Sequence, residues 1–262
     1  MVSVRREARR VARIASFGAL TGAMLPALLV HERLTRPAER DRVRDRWVQT
    51  WSGAMLGVFG IRVTTLGPLP SGRGGHLVVA NHRSTADILA LLRAFGGHLV
   101  SRADLARWPL VGPAARAVGT VFVDRSDAFS GAHAVRAIRS RLRAGGTVIV
   151  FPEGTTFRGD EVRPFRAGAF LGALRSGANV VPVGIAYETG SGAAFFQESF
   201  PAHLARMAAA RPSQVAVCVG EPISVPETAR AAALRDRAQA EVQRLVDRAR
   251  AHVDARSVGD SS

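Results

Sequence analysis

Short apolar runs that alternate with longer helical patterns constrain the fold of this 262-residue chain more than any other feature. An alternation of this kind predicts an α/β architecture in which a mixed, largely parallel sheet is flanked by helices. The predicted strands are residues 61–66, 76–80, 98–101, 120–123, 147–151, 180–186 and 215–219. Residues 86–94 and 132–144 are examples of the helical patterns between them, with apolar positions at helical spacing.

The N-terminal region has the features of a membrane-associated segment. A basic stretch at residues 5–13 precedes an uncharged apolar segment at residues 14–30, which is close to the lower length limit of about 17 residues for a spanning helix. A charged sequence follows directly and no small-residue cleavage site is present, so a retained membrane helix or an embedded hairpin is predicted. A core helix of a soluble domain is the alternative. Residues 47–59 carry two tryptophans and are expected to return along the membrane interface.

These patterns predict three regions along the chain. Residues 1–60 form the basic and apolar helical segment, and residues 61–225 form the α/β domain. Residues 226–262 form an amphipathic helix and a tail, in which the apolar positions are Leu234, Val242, Leu245 and Val246.

The formal net charge of +15 predicts an anionic partner, either nucleic acid or the phosphate layer of a membrane. No nucleic-acid motif accompanies the charge, and 6% aromatic residues leave little for base stacking, so no nucleic acid is expected. A non-catalytic protein that binds anionic membranes or nucleic acid remains an alternative. The single cysteine, Cys218, lies in an apolar run, and no histidine or cysteine cluster has the spacing of a metal site.

The strongest local signal is the segment 81–87, which lies between a predicted strand and a predicted helix. On one regular helix His82 and Asp87 would point about 140° apart, so they meet only if His82 lies in the turn. Asp87 would then accept one ring N–H of His82, fix the tautomer and leave the other nitrogen as a general base. The alternative is that Ser84 and Asp87 form a helix capping box and that His82 is incidental.

The segment 81–87 is similar to the first signature of the glycerolipid acyltransferases, in which Asn and His are followed by four residues and an Asp. Three further blocks resemble that family in the same order, at residues 119–125, 151–155 and 180–184. The resemblance implies that His82 and Asp87 are catalytic, with Asn81, Gly119, Phe122 and Pro152 in supporting positions.

The resemblance also implies a set of substrate-binding residues. Arg125 is expected to contact the acceptor's phosphate, with pairing to Asp124 or Asp127 as the alternative. Glu153, Gly154 and Thr155 are expected in a turn whose backbone N–H groups bind phosphate or the developing oxyanion.

Glu153 cannot attract an anion, so it is expected to orient Arg125 or another donor, and a purely structural turn is the alternative. Arg166 is expected to add a second positive group, or else to be a solvated arginine at a helix start. The family's third block often continues with Arg-Ser, whereas this chain has Thr156, Phe157 and Arg158, which leaves the acceptor open.

The implied reaction is direct acyl transfer from acyl-CoA or acyl carrier protein, without a cofactor, to a lysophospholipid. The leading acceptor is 1-acyl-glycerol-3-phosphate, which gives phosphatidic acid. Lyso-ornithine lipid is the close alternative, and lysophospholipid remodelling is a third. The expected location is the cytoplasmic membrane, where the anionic bilayer is a further partner and the active site faces the cytoplasm.

Overall fold

The computed structural model describes residues 2–70, 74–124, 127–194 and 198–259. In these ranges eight α-helices, α1 to α8, are Val2–Leu34, Arg40–Phe59, Thr85–Phe95, Val111–Ala117, Ala128–Arg143, Gly168–Ala173, Phe200–Ala209 and Ala231–Gly259. Seven strands, β1 to β7, are Ile61–Leu66, His76–Ala80, His98–Arg102, Val121–Val123, Thr147–Val150, Asn179–Tyr187 and Ser213–Val219. Short 3-10 helices occupy Pro37–Glu39 and Ala103–Arg107. Every predicted strand is present, with ends that differ by at most two residues.

The strands form one sheet in the order β1-β7-β6-β2-β5-β3-β4. Neighbouring strands run parallel except β6 and β7, which are antiparallel. The prediction of a mixed, largely parallel sheet flanked by helices is therefore confirmed.

Successive strand residues point to opposite faces, and both faces are covered by helices. Val78 and Val181 belong to a core cluster that includes buried residues of α2 and α3. Leu77 and Val180 belong to a second cluster, built with α5, α6 and α8. Burial on both faces explains why these strands read as continuous apolar runs rather than as alternating ones.

Helices α1 and α2 form an antiparallel hairpin at the N-terminus. The indole of Trp51 donates to Thr21 Oγ1 at 3.1 Å, and that of Trp47 donates to His31 Nδ1 at 3.0 Å. Part of α1, residues 4–34, is long and apolar enough to cross a membrane, with a window of mean hydropathy 1.6 of which 11% is buried. Because so little of this apolar surface is covered by the protein, we assign α1 to membrane association.

The C-terminal helix α8 begins at Ala231, so the predicted start at residue 226 was wrong by five residues. The Ala229 N–H donates to the Pro226 carbonyl at 3.0 Å, and this turn delays the helix. The predicted apolar positions of α8 are all buried.

Helix α8 packs directly against the sheet at Gly184, the glycine of β6. A Cβ atom at this position would lie 2.2 Å from the Leu245 carbonyl carbon and 2.3 Å from the Val246 nitrogen. These are backbone atoms of a long helix, which cannot shift independently. The glycine of the fourth sequence block is therefore explained by packing of a helix on a strand.

We predict that Gly184→Ala lowers the free energy of unfolding by about 1–3 kcal/mol, because the added methyl group overpacks this contact. Gly131→Ala in α5 is the matched control, since a Cβ there meets nothing within 4 Å. The control is expected to keep or gain stability, by up to about 1 kcal/mol, because alanine favours the helix. Urea unfolding of both variants measures the difference, and equal stability of Gly184→Ala and the wild type would contradict the packing assignment.

Candidate active site

The carboxyl ends of β2, β5 and β4 lie at one edge of the sheet because these strands belong to its parallel part. The blocks at residues 81–87 and 151–155 directly follow β2 and β5, and the block at residues 119–125 contains β4. Strand β6 runs parallel to β2 and brings Tyr187 to the same edge. Parallel pairing thus gathers residues from distant parts of the chain.

His82 lies in the turn between β2 and α3, as the proposed contact with Asp87 requires. Its Nδ1 lies 2.8 Å from Oδ2 of Asp87. Because the carboxylate can only accept, Nδ1 carries the proton and donates a hydrogen bond to Oδ2. The Nε2 atom makes no hydrogen bond to any described residue, and 16% of the side chain is exposed. The ring stacks on Phe151 with centroids 4.0 Å apart and planes at 16°. A histidine held in this way presents one basic nitrogen outward.

Asp87 is completely buried and accepts hydrogen bonds from several donors. Besides His82, its Oδ2 accepts the backbone N–H groups of Arg83 at 2.5 Å and Ser84 at 2.8 Å. Ser84 accepts the Ala86 N–H in return, which completes a capping box at the start of α3. The two interpretations of the sequence therefore coexist, because the carboxylate that caps the helix also binds the imidazole.

Tyr187 is a site residue that the sequence did not reveal. Its hydroxyl donates to Oδ1 of Asp87, the oxygen that faces away from His82. Burial, together with the neighbouring carboxylate, raises the pKa of Tyr187 well above its usual value, so the hydroxyl stays protonated as a donor. It appears in the sequence only as the last residue of an apolar strand, with no motif to mark it.

Asn81 fixes the start of the catalytic turn to the neighbouring strand. Its side-chain Nδ2 donates to the Ile185 carbonyl at 2.9 Å, and its Oδ1 accepts the Ile185 N–H at 2.8 Å. The residue is fully buried between β2 and β6. Asn81 therefore joins β2 to β6 at the start of the turn, and its supporting role in the site stays a prediction.

Glu153 is paired with Arg83, a second residue that sequence reasoning missed. Nη1 of Arg83 lies 2.9 Å from Oε2 of Glu153, and the two side chains are 5% and 0% exposed. Glu153 also accepts the backbone N–H groups of His82 at 2.7 Å and Arg163 at 2.8 Å. The carboxylate has no exposed surface for a substrate, and its geometry suits the orientation of a donor, here Arg83. Its part in substrate binding stays a prediction.

The loop at residues 159–166 connects this ion pair to α8. Arg83 donates to the carbonyl groups of Gly159 and Glu161 in the loop. On the other side, Gln243 accepts the Val162 N–H at 2.8 Å, and Arg250 pairs with Asp160 at 2.7 Å. Hydrogen bonding raises the pKa of Arg250 and keeps it charged. The C-terminal helix thus helps to hold the residues behind His82.

The turn after β5 has the geometry of an anion site. Gly154 adopts φ +87°, and its N–H donates to the Phe151 carbonyl, which closes the turn. Thr155 is exposed, and in the described structure its N–H and that of Thr156 make no hydrogen bond. These two amides are available to an anion.

Arg166 lies beside this turn. Its backbone N–H donates to the buried Pro152 carbonyl at 2.9 Å, while the rest of the residue is exposed. A positive side chain therefore accompanies the two available amides at the same edge of the sheet.

The second block is only partly described. Arg125 lies outside the described residues, so its contact with phosphate stays a prediction, whereas Phe122 is half-buried in β4. Gly119 adopts φ +72°, and a Cβ there would lie 2.9 Å from Nδ1 of His98. Gly119 therefore leaves room for a buried histidine.

An apolar cavity of about 180 Å³ lies next to the catalytic turn. Thr85, three residues after His82, lines it together with Phe17, Thr21, Trp51, Leu89 and Leu204, which come from α1, α2, α3 and α7. The apolar walls of this cavity match the polarity of a hydrocarbon chain.

Comparison with known proteins adds a family to this geometry. A family model described as Acyltransferase matches residues 60–186. The lyso-ornithine lipid O-acyltransferase of Pseudomonas aeruginosa is 32% identical over 182 residues, which are 68% of this chain and 67% of that protein. The 1-acyl-sn-glycerol-3-phosphate acyltransferase of Neisseria meningitidis serogroup B is 32% identical over 149 residues, 56% of this chain and 58% of its own length.

The fold is shared with a solved structure. The crystal structure of PlsC, the 1-acyl-sn-glycerophosphate acyltransferase of Thermotoga maritima, superposes with a TM-score of 0.73 at 23% identity. The match covers 95% of this chain and 97% of that one. It includes the N-terminal helices as well as the sheet.

We predict that separating the Arg83–Glu153 pair destabilises the protein strongly. Arg83→Met or Glu153→Gln leaves one buried charge uncompensated and is expected to cost about 3–5 kcal/mol of unfolding free energy. The double variant is expected to cost less than the sum of the two, because neither charge remains. Arg163→Met, which removes the exposed pair with Glu161, is the control and is expected to cost less than about 1 kcal/mol. Additive losses in urea unfolding would contradict a coupled pair.

We also predict an acid-sensitive stability that depends on His98. Burial, and then the nearby Arg141, lowers the pKa of His98 to about 4, and the ring accepts a hydrogen bond from Arg141 at 2.8 Å. Since the unfolded chain binds this proton near pH 6.5 and the folded chain only near pH 4, stability present above pH 6.5 is lost as the pH falls between these values. The loss attributable to His98 is about 3 kcal/mol.

Urea unfolding at pH 7.5 and pH 4.5 measures this dependence. His76 and His203 also have lowered pKa values, so the comparison is with His98→Gln, which keeps those two groups. The variant is expected to lose less stability over this range, and an equal loss would contradict the assignment.

Proposed function

The chain belongs to the acyltransferase family, and on this basis we propose that it transfers a fatty acyl group from a thioester donor to a lysophospholipid hydroxyl. The proposed acceptor is 1-acyl-glycerol-3-phosphate and the product is phosphatidic acid. The observation that carries the proposal is the 2.8 Å contact between His82 and the buried Asp87, which leaves Nε2 as the one outward base.

The proposed reaction proceeds in one transfer without an acyl-enzyme. Nε2 of His82 takes the proton of the acceptor hydroxyl as its oxygen attacks the thioester carbonyl carbon. The new C–O bond forms, the C–S bond breaks, and the departing thiolate takes the proton from the imidazolium. Asp87 stays ionised and stabilises the positive charge on His82 during the transfer.

Three groups are proposed to bind the negative charges of this reaction. The available amides of Thr155 and Thr156 suit a phosphate or the developing oxyanion. Arg166 lies beside the turn, and Arg125 is expected at the end of β4, so both are proposed for the acceptor's phosphate.

The apolar cavity beside Thr85 is proposed to hold a fatty acyl chain. Its position next to the catalytic turn suits a thioester whose carbonyl carbon lies at His82 while the chain extends under α1. The exposed apolar surface of α1 would place this entrance at the bilayer, where lysophospholipids reside. We propose the cytoplasmic membrane as the location, with the active site facing the cytoplasm and positive charge favouring anionic lipids.

Lyso-ornithine lipid is the second candidate acceptor. The Pseudomonas relative of that name aligns over a larger share of both proteins than the Neisseria relative does. Arg158, which follows the third block at a displaced position, is proposed to change how the acceptor's head group is held.

The test is acyl transfer by the purified chain in lipid vesicles, with labelled acyl-CoA or acyl carrier protein and each of the two acceptors. We predict that His82→Ala reduces kcat/KM by at least about 10²-fold, because general-base catalysis contributes 10²–10⁴-fold. His133→Ala is the matched control, since His133 is exposed on α5 and has no part in the contacts described for the site, and it is expected to leave transfer unchanged.

The preferred acceptor is the one with the higher kcat/KM in the wild type. Full activity of His82→Ala would contradict its role as base. If the wild type transfers nothing to any lyso-lipid from either donor, the proposed function fails.

A further inference from the structure

A basic groove lies at the same sheet edge as His82 and is used by none of the roles assigned above. Its volume is about 660 Å³, within the range of small-molecule sites. Four arginines without a carboxylate partner in the described residues line it, namely Arg5, Arg6, Arg9 and Arg211. Glu188 is the acidic residue in its wall, and the wall also contains Arg206, which pairs with Glu198. We propose that this groove binds the nucleotide phosphates of a coenzyme A thioester, an inference that rests on the proposed function.

The groove has fixed walls, because the first turns of α1 are tied to the segment between α7 and β7. Arg9 donates to the Ala210 carbonyl at 3.0 Å, and Arg13 donates to the same carbonyl at 2.9 Å. Arg5, Arg6 and Arg211 remain exposed. Arginine's planar fork suits phosphate oxygens, and three exposed guanidinium groups in a concave site match a ligand with several phosphates.

The groove is joined to the catalytic turn by one short segment. Gly192 lines the groove, and the carbonyl of the next residue, Ala193, accepts the hydroxyl of Ser84. Ser84 lies two residues from His82. A donor whose phosphates occupy the groove therefore has its thioester, at the far end of the pantetheine arm, on the side of His82.

The order of strands separates the groove from the proposed acceptor site. His82 follows β2, whose neighbours are β5 on one side and β6 on the other. The turn with Thr155 follows β5, whereas the segment with Gly192 follows β6. Direct transfer requires both anionic substrates at once, and opposite sides of the base keep their phosphates apart.

Helix α1 would contact both ends of the donor. Its basic first turns form a wall of the groove, and Phe17, Thr21 and Met24 further along the same helix line the apolar cavity. A thioester with a charged nucleotide at one end and a hydrocarbon chain at the other has the same distribution of polarity. The basic start of α1 is thus assigned to donor binding.

The test is a kinetic comparison of two double variants with the same change in charge. Arg6→Gln/Arg211→Gln alters the groove, and Arg136→Gln/Arg237→Gln alters exposed arginines on α5 and α8. In vesicles of neutral lipid, the groove variant is expected to raise KM for acyl-CoA about tenfold, with kcat and acceptor KM changed less than about twofold. Salt is expected to raise the donor KM less steeply in the groove variant than in the wild type. The control is expected to match the wild type.

Three donors identify which group the groove binds. With acyl-dephospho-CoA, the donor KM of the groove variant is expected to exceed that of the control by a smaller factor than with acyl-CoA. With acyl carrier protein, which lacks the nucleotide, the two variants are expected to have the same donor KM. An effect confined to acyl carrier protein would instead indicate a protein-docking surface, and an equal effect on both donors would indicate the phosphate of the arm alone. Loss of sedimentation with anionic vesicles at unchanged donor KM would indicate lipid head groups. Each of these three results would overturn the proposal, as would a groove variant that behaves like the control.

Calorimetry of free CoA binding to His82→Ala protein separates this inference from the proposed function. Binding that the groove substitutions weaken about tenfold supports the site even if no acyl transfer is detected. Conversely, if the wild type transfers acyl groups but the groove substitutions do not weaken CoA binding, the proposed function is supported and the assignment of the groove to CoA is contradicted.

Discussion

The buried carboxylate of Asp87 is the group on which the proposed active site depends. A fully buried charge is tolerated only when hydrogen bonds replace its hydration, and here one carboxylate binds the start of α3, the ring of His82 and the hydroxyl of Tyr187. The same contacts that stabilise the charge also fix the direction of the imidazole. Catalytic geometry and local stability are consequently two results of one arrangement, because Asp87 both caps α3 and orients the base, His82.

The second buried charge pair extends this arrangement toward the C-terminus. Glu153 accepts the N–H of His82 while its partner Arg83 binds the loop that α8 holds through Gln243 and Arg250. The rest of α8 packs against β6, so closely that Gly184 leaves no room for a side chain. Helix α8 thus supports the active site from a distance through a continuous set of hydrogen bonds.

Most of the fold followed from the sequence because the sheet is buried on both faces, so each strand appeared as a distinct apolar run. The meeting of His82 with Asp87 was also predictable, since their spacing excludes one helix and requires a turn. Tyr187 and Arg83 were not, because their contacts depend on which strands and loops become neighbours. Glu153 was expected to orient a hydrogen-bond donor, but its partner, Arg83, could not be identified without knowing which strands and loops become neighbours. The start of α8 was missed because a local turn after Pro226 competes with the helix.

The central claim is that Asp87 holds His82 with its proton on Nδ1 and its lone pair on Nε2. The most direct measurement is the nitrogen chemical shift of His82 in ¹⁵N-histidine-labelled protein, assigned by comparison with His82→Gln. The account predicts a ring with a protonated Nδ1 and an unprotonated Nε2. A proton on Nε2 with an unprotonated Nδ1 would contradict it, because the outward nitrogen would then have no lone pair to accept the acceptor's proton.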